Sequence, residues 1–169
     1  MSLTFITLPS PVGVLKLVAN GSRLAAILWE NDRPNRVRLG PMTEAPDNPV
    51  LLKTARQLEE YFAGTRNCFE LELDFVGTDF QKQVWAALLT IPFGETRSYS
   101  QIAQQIGKPS AVRAVGAANG RNPISIVAPC HRVIGASGKL TGFAGGLDAK
   151  ERLLTLEGFC QTGHTGNLF

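Results

Sequence analysis

The sequence predicts an α+β chain in two parts, and three observations carry that prediction. β-rich runs separated by tight-turn signals crowd the first half, whereas helical spacing behind two capping boxes fills the second. The charge balance also changes sign. Residues 1–77 hold 8 Lys and Arg against 9 Asp and Glu, and residues 78–169 hold 9 against 5. A strand-rich domain over 1–77 and a helical domain over 78–169 follow. The basic excess of the second fits a polyanionic partner and equally a solvated surface.

Thr4 to Leu8, Val14 to Ala19 and Leu24 to Trp29 read as a meander, with Pro9-Ser10-Pro11-Val12-Gly13 and Asn20-Gly21 as its turns. Glu30 to Asp47 is charged and broken by Pro34, Pro41 and Pro46, which marks a long surface connection. Asn48 and Pro49 form a helix start, Leu51, Ala55, Leu58 and Phe62 follow at helical spacing, and Gly64 ends the element. Phe69, Leu71, Leu73 and Phe75 alternate with Glu70, Glu72 and Asp74, the pattern of a strand with one dry face. No reactive group stands out in this half.

In the second half, Thr78 with Gln81 and Ser98 with Gln101 are capping boxes, each opening an apolar helical face. Gly107 and Lys108-Pro109-Ser110 then turn the chain into a third helix from Ala111 towards Asn119, which makes a helix-turn-helix. That third helix carries Arg113 among Ala114, Gly116, Ala117 and Gly120. A mid-helix Gly costs about 1 kcal/mol against Ala, so Gly116 answers either to tight helix packing or to close approach of a narrow surface. Gly135 to Gly142 reads as a turn, Gly142 to Gly146 as a glycine-rich loop without a phosphate-binding pattern, and Leu147 to Glu157 as a last helix closed by Gly158.

The most reactive stretch is Ile126 to Gly135, a β-branched run with Cys130 beside His131. A free thiol titrates near about 8.5, so a neighbouring base is needed to raise the thiolate fraction at neutral pH. Cys130 and His131 are either that pair or a small buried hydrophobe beside a core histidine. On a regular strand adjacent side chains point to opposite sides, so direct cooperation requires a kink or a bridging water. Glu157, at a helix end where the dipole favours a cation, is either a surface carboxylate or a group that orients His131. Cys68, Cys130 and Cys160 are odd in number and widely spaced, and His131 and His164 are the only histidines, so neither a disulfide framework nor a metal site is expected. No run approaches the roughly 20 apolar residues of a membrane span, and the first residues lack the order of a signal peptide. A cytoplasmic protein without membrane attachment is expected.

Pro129-Cys130-His131-Arg132-Val133-Ile134, together with Arg113-Ala114-Val115-Gly116, Asn122-Pro123, Gly145-Gly146-Leu147 and Glu157-Gly158, closely resembles the O6-alkylguanine-DNA alkyltransferase family, also called methylated-DNA-protein-cysteine methyltransferases. The resemblance is strong from Thr78 to Gly158 and diffuse before it. It implies a ribonuclease H-like first domain and a winged helix-turn-helix-like second domain carrying the acceptor cysteine. It further implies single-turnover removal of the alkyl group from O6 of guanine, and less readily from O4 of thymine, by Cys130, with no cofactor. His131 would act as base through a water, Glu157 would orient the imidazole, and Asn122 would hold the adjoining turn. The base would be flipped from duplex DNA. Arg113 would replace it in the stack, Tyr99 would press on the neighbouring phosphate, and Ser110, Ala114 and Gly116 would meet the minor groove, which is about 6 Å wide. Tyr99, Val133, Phe143, Ala144 and Gly145 would line the base pocket. A monomer is the simplest expectation, with cooperativity along DNA open.

Two details bear on the resemblance. Phe143 stands where many members have Tyr, so an aromatic wall survives without its hydroxyl, and the motif is Pro-Cys-His, not the Pro-Trp-His of non-reacting alkyltransferase-like proteins. Two other functions compete with alkyl transfer. A helix-turn-helix protein that binds DNA without chemistry has no use for Cys130, and a Cys-His-Glu hydrolase would turn over repeatedly and need an oxyanion site that the sequence does not offer.

Overall fold

A computed structural model describes residues 2–135 and 143–158, which form two compact units. The first comprises the described residues of Met1–Val76 with Pro123–Val127, and the second comprises Gly77–Asn122 with the described residues from Ala128 onward.

In the first unit, β1 (Leu3–Ser10), β2 (Gly13–Asn20), β3 (Arg23–Leu28) and β4 (Met42–Glu44) make a sheet of order β3-β2-β1-β4. The meander is antiparallel, as the turn signals require, and β4 adds to β1 in parallel. Three residues of the proline-broken connection therefore pair, which its composition did not reveal. Helix α1 (Pro49–Phe62) starts where expected: Asn48 Oδ1 accepts from Val50 N at 2.9 Å and Leu51 N at 3.4 Å, with Pro49 in the first turn. Asn48 Nδ2 donates to Thr4 Oγ1 at 3.2 Å, which ties the helix start to the sheet. Leu51, Leu58 and Tyr61 of α1 are buried, as are Leu15, Leu17 and Ile27 of the sheet. Across β1 and β2, Leu3 and Val18 pack with Ala25, Ala26, Leu39 and Met42 in a separate apolar cluster.

The alternating stretch Phe69 to Phe75 is not a strand. Only Leu73 bridges to Leu24; Leu24 N donates to Glu72 O at 2.9 Å, and Asp74 N donates to Leu24 O at 2.8 Å. The reason lies in β3. Val18 pairs with Ala26 but Ala19 pairs with Leu24, so Ala25 is an extra, bulged residue that divides the outer edge of β3. Residues 72–74 take the edge at Leu24, and Pro123–Val127 takes it at Ile27, whose N–H donates to Pro123 O at 2.9 Å. Trp29 Nε1 fastens the second segment through Ser125 Oγ at 3.0 Å. Neither segment has room for a ladder.

In the second unit, α2 (Asp79–Leu88) and α3 (Tyr99–Gln105) each begin at the expected capping box. Helix α4 (Val112–Gly120) follows the Gly107 turn, packs on both, and lacks a side-chain cap. Trp85 Nε1 donates to Ala118 O at 2.8 Å, which fixes α2 against α4. A two-residue strand β5 (Arg97–Ser98) pairs in parallel with β6 (Val133–Ile134). Helix α5 (Leu147–Leu156) ends at Glu157, and Gly158 at φ +88° supplies the left-handed residue that closes it.

The run from Ile126 to Gly135 is likewise no continuous strand. Ile126 has φ +75°, a rare conformation for a β-branched residue, inside a turn closed by Val127 N donating to Ser125 O at 2.9 Å. Pro129 at φ −80°, ψ 67° centres a second tight turn, with Cys130 N donating to Ala128 O at 2.7 Å. Residues Cys130–Arg132 then form one turn of 3₁₀ helix. β-Branched composition predicted extension, but Pro129 and the hydrogen bonds around it bend the chain. The expected turn from Gly135 to Gly142 lies, beyond Gly135, outside the described residues, as do Cys160 and His164. Among the described residues no helix is long and apolar enough to cross a membrane.

Candidate active site

The kink that a regular strand would have denied is supplied by that 3₁₀ turn, in which successive residues rotate by about 120° instead of 180°. Its entrance is held from α4. Asn122, buried just beyond the helix, donates from Nδ2 to Ala128 O at 2.8 Å, the same oxygen that receives the Cys130 N–H. Cys130 is buried and forms no disulfide.

His131 is fully buried, and its Nε2 lies 2.7 Å from Glu157 Oε2. Glu157 is no surface carboxylate: it retains 4% exposure. Arg132 clamps it, Nε donating to Oε1 at 2.7 Å and Nη2 to Oε2 at 3.0 Å, while Nη1 donates to Ile91 O at 2.6 Å. The Phe93 ring lies 5.8 Å from the guanidinium carbon. Gly94, at φ +82°, comes so close to Glu157 that a Cβ would meet its carbonyl oxygen at 3.2 Å.

The electrostatics follow from burial and from that clamp. Burial alone would raise the Glu157 carboxyl, but hydrogen bonds and charge from His131 and Arg132 hold it down at about 2. Burial pushes His131 below its ordinary value and outweighs the attraction of Glu157. Near neutral pH, then, an ionised carboxylate faces a neutral imidazole. A carboxylate only accepts, so Nε2 carries the proton and Nδ1 is left with its lone pair. Nδ1 is buried and has no hydrogen-bond partner in the protein. The site thus holds a base with its free nitrogen unengaged, one residue from a cysteine.

Lys150, on α5, is completely buried and donates from Nζ to Val133 O at 2.7 Å. Burial lowers its pKa to about 8, although attraction to Cys130 opposes the shift. By reciprocity the ammonium favours the Cys130 thiolate. Its Nζ also lies 6.0 Å from the centroid of the Phe143 ring. The sequence assigns no site role to Arg132 or Lys150, and only their burial reveals their part.

The remaining expected residues fall into two groups. Val133 is buried beside the 3₁₀ turn, and Phe143, Ala144 and Gly145 are half-buried in the turn that precedes α5. On α4, Arg113 and Ala114 are exposed, as is Ser110 before it, whereas Gly116 is half-buried below Tyr99. A Cβ at Gly116 would lie 3.8 Å from Tyr99 Cδ1, an ordinary contact, so packing within the protein does not demand glycine there. Among the described residues no cluster of His, Cys, Asp and Glu could hold a metal ion.

Comparison with known proteins decides the family. The model for the 6-O-methylguanine DNA methyltransferase ribonuclease-like domain matches residues 3–75, and that for the DNA binding domain of the same proteins matches residues 79–159. The chain belongs to the 6-O-methylguanine DNA methyltransferase family. A methylated-DNA-protein-cysteine methyltransferase of Mycobacterium tuberculosis is 54% identical over 153 residues, covering 89% of this chain and 90% of the relative. One of Methanosarcina mazei is 60% identical over 148 residues, covering 88% and 92%. The crystal structure of Mycobacterium tuberculosis OGT in complex with DNA superposes with a TM-score of 0.83 at 51% identity, covering 93% of this chain and 92% of that one. The α+β fold and the methyltransferase-family membership expected from Pro129–Ile134 and its companion motifs are both borne out.

Proposed function

We propose that this chain repairs DNA directly, taking the alkyl group from O6 of guanine, and less readily from O4 of thymine, onto Sγ of its own Cys130. The lone pair of His131 Nδ1 carries the reading, because Glu157 fixes the proton on the opposite nitrogen. Cys130 passes its proton to Nδ1, directly or through a water, and the imidazolium so formed is stabilised by Glu157. The Lys150 ammonium supports the thiolate. Sγ then attacks the alkyl carbon, the carbon–O6 bond breaks with its electron pair moving to the purine, and a proton restores neutral guanine. The product is a thioether that no group here reverses, so each molecule acts once and needs no cofactor.

Duplex DNA is the partner. Exposed Arg113 enters the stack as the alkylated base leaves, and Tyr99 presses on the adjoining phosphate. Ser110, Ala114 and Gly116 meet the minor groove, where the absence of bulky side chains on this face of α4 suits a narrow cleft. Val133, Phe143, Ala144 and Gly145 border the flipped base, and Asn122 holds the turn that presents the thiol. The protein works as a cytoplasmic monomer, with residues 1–77 as a scaffold.

Incubation with a duplex containing O6-methylguanine, followed by mass spectrometry of the peptide bearing Cys130, tests this. A gain of one methylene's mass, saturating at one per protein, is expected. Retained binding without mass gain would leave a DNA-binding protein only, and repeated turnover on an ester or amide would indicate a hydrolase.

A further inference from the structure

The chain between α4 and the 3₁₀ turn closes into a loop with a neck and a tip. The neck is the hydrogen bond from Asn122 Nδ2 to Ala128 O at 2.8 Å, and because the same oxygen accepts from Cys130 N, the neck carries the thiol. The tip, Pro123–Val127, belongs to the first unit. There Ile27 N donates to Pro123 O at 2.9 Å, Ile124 bridges to Ile27, and Trp29 Nε1 donates to Ser125 Oγ at 3.0 Å. Ser125 is fully buried and Trp29 retains 6% exposure, so water does not compete for that last bond. Trp29 is itself held in place: its N–H donates to Asp32 Oδ2 and its carbonyl accepts from Asp32 N, both at 3.3 Å.

The tip keeps a strained residue directly beside that anchor. Ile126 sits at φ +75°, where a β-branched side chain is disfavoured, and Val127 N closes the turn onto Ser125 O at 2.9 Å. Such a conformation persists only where surrounding contacts over-determine it, and its cost is comparable to the worth of one or two buried hydrogen bonds. Two of the contacts that hold it fall on Ser125, whose carbonyl closes the turn and whose hydroxyl is gripped by Trp29. Release of the hydroxyl frees Ile126 to relax to negative φ, which turns the Ser125–Ile126 peptide and breaks the Val127 bond. Four residues separate Ile126 from the thiol of Cys130 along the chain, and Pro129 and the bonds at Ala128 O stiffen that path, so the change is passed on to the thiol.

We propose that Trp29 is a positioning residue for alkyl transfer, acting through Ser125 Oγ to hold the strained turn from which Cys130 is presented. The inference rests on the alkyl-transfer reading and gives residues 1–77 a part in the reaction beyond that of a scaffold. Neither Trp29 nor Ser125 meets DNA or the alkyl group in this assignment. Loss of their bond therefore slows the chemical step without weakening the capture of DNA.

Trp29→Phe removes the donor, Ser125→Ala removes the acceptor, and the double variant removes both. Single-turnover transfer from an O6-methylguanine duplex in excess is measured against duplex concentration, at a temperature where circular dichroism shows each protein folded. Each single variant is expected to lower the limiting rate about 10-fold, the worth of one buried hydrogen bond, and to leave the half-saturating duplex concentration within about 2-fold of the parent's. Because both substitutions remove the same bond, the double variant is expected to match the slower single variant instead of multiplying the two losses. A limiting rate within about 2-fold of the parent's in either single variant, even with a lowered melting temperature, marks a bond that only stabilises the fold and overturns the assignment. A loss seen only in the half-saturating concentration, or losses that multiply in the double variant, overturns it equally. Failure of the parent protein itself to accept methyl overturns the alkyl-transfer reading instead.

Discussion

Replacing Glu157 with Gln probes stability and chemistry through one atom pair. The carboxylate accepts three charge-assisted hydrogen bonds, from His131 and twice from Arg132, inside the protein. An amide has one oxygen for those three donors, and its NH₂ must then face a donor, while the Arg132 guanidinium loses its counter-charge. Breaking a buried pair in this way costs about 3–5 kcal/mol. Linkage gives an independent figure. The carboxyl is held at about 2 instead of 4.5, which corresponds to roughly 3 kcal/mol of stabilisation. Because the folded value is the depressed one, that stability is complete above pH 4.5 and is lost as pH falls towards 2. Glu157→Gln is expected to lower the melting temperature by about 6–20 °C at neutral pH and to flatten the acid limb of the stability profile. With the proton no longer confined to Nε2, His131 can place it on Nδ1, so alkyl transfer should slow by about 10²–10⁴. Thermal unfolding across pH and single-turnover transfer at a temperature where the variant is folded measure both. A variant that melts within about 2 °C of the parent, or transfers at its rate, refutes the buried-triad reasoning.

Four further outcomes follow from the same geometry. Lys150→Met removes the ammonium beside Cys130 and should slow transfer at neutral pH by about 10-fold; in the parent, the folded lysine is the group with the lowered value, so stability should rise as pH climbs from about 8 towards 10.5, and the variant should lack that limb. Arg113→Ala should slow reaction with alkylated duplex while sparing reaction with a free O6-alkylguanine base, measured side by side by mass spectrometry. Gly116→Ala should stabilise the fold by up to about 1 kcal/mol in denaturant titration, since the added Cβ meets Tyr99 at an ordinary distance, yet weaken reaction with duplex DNA, whose groove it would crowd. Phe143→Tyr should change the relative rates for bulky and small alkyl groups in competition assays; identical relative rates would show that the missing hydroxyl is without consequence.

How far the sequence could be read depended on whether local signals faced competition. Asn48, Thr78 and Ser98 act within one turn of their own helices, and each cap stands where it was expected. Phe69 to Phe75 carries an equally clear alternation but no ladder, because pairing needs a free partner edge and the Ala25 bulge leaves β3 too little of it. The reactive run misled for a related reason. Ile126, Val127, Val133 and Ile134 all favour extension, whereas the path is decided by two tight turns, one of them holding Ile126 in a conformation that costs roughly 1–3 kcal/mol.

The site shows the same division more sharply. Cys130, His131 and Glu157 were visible because their chemistry is unusual for their surroundings, and His131 and Glu157 prove to be hydrogen-bonded. Arg132 and Lys150 were passed over because most arginines and lysines are solvated, and nothing local in the sequence says that these two are not. Yet their burial sets the working state of the others. Without Arg132, the buried Glu157 carboxylate would lose two of its charge-assisted hydrogen bonds, and a carboxylate so weakened in compensation would draw a proton, forfeiting the acceptor that keeps His131 Nδ1 free. A motif therefore names the groups that exchange protons, while the cations that fix where those protons rest emerge only once the helices and turns around them are folded.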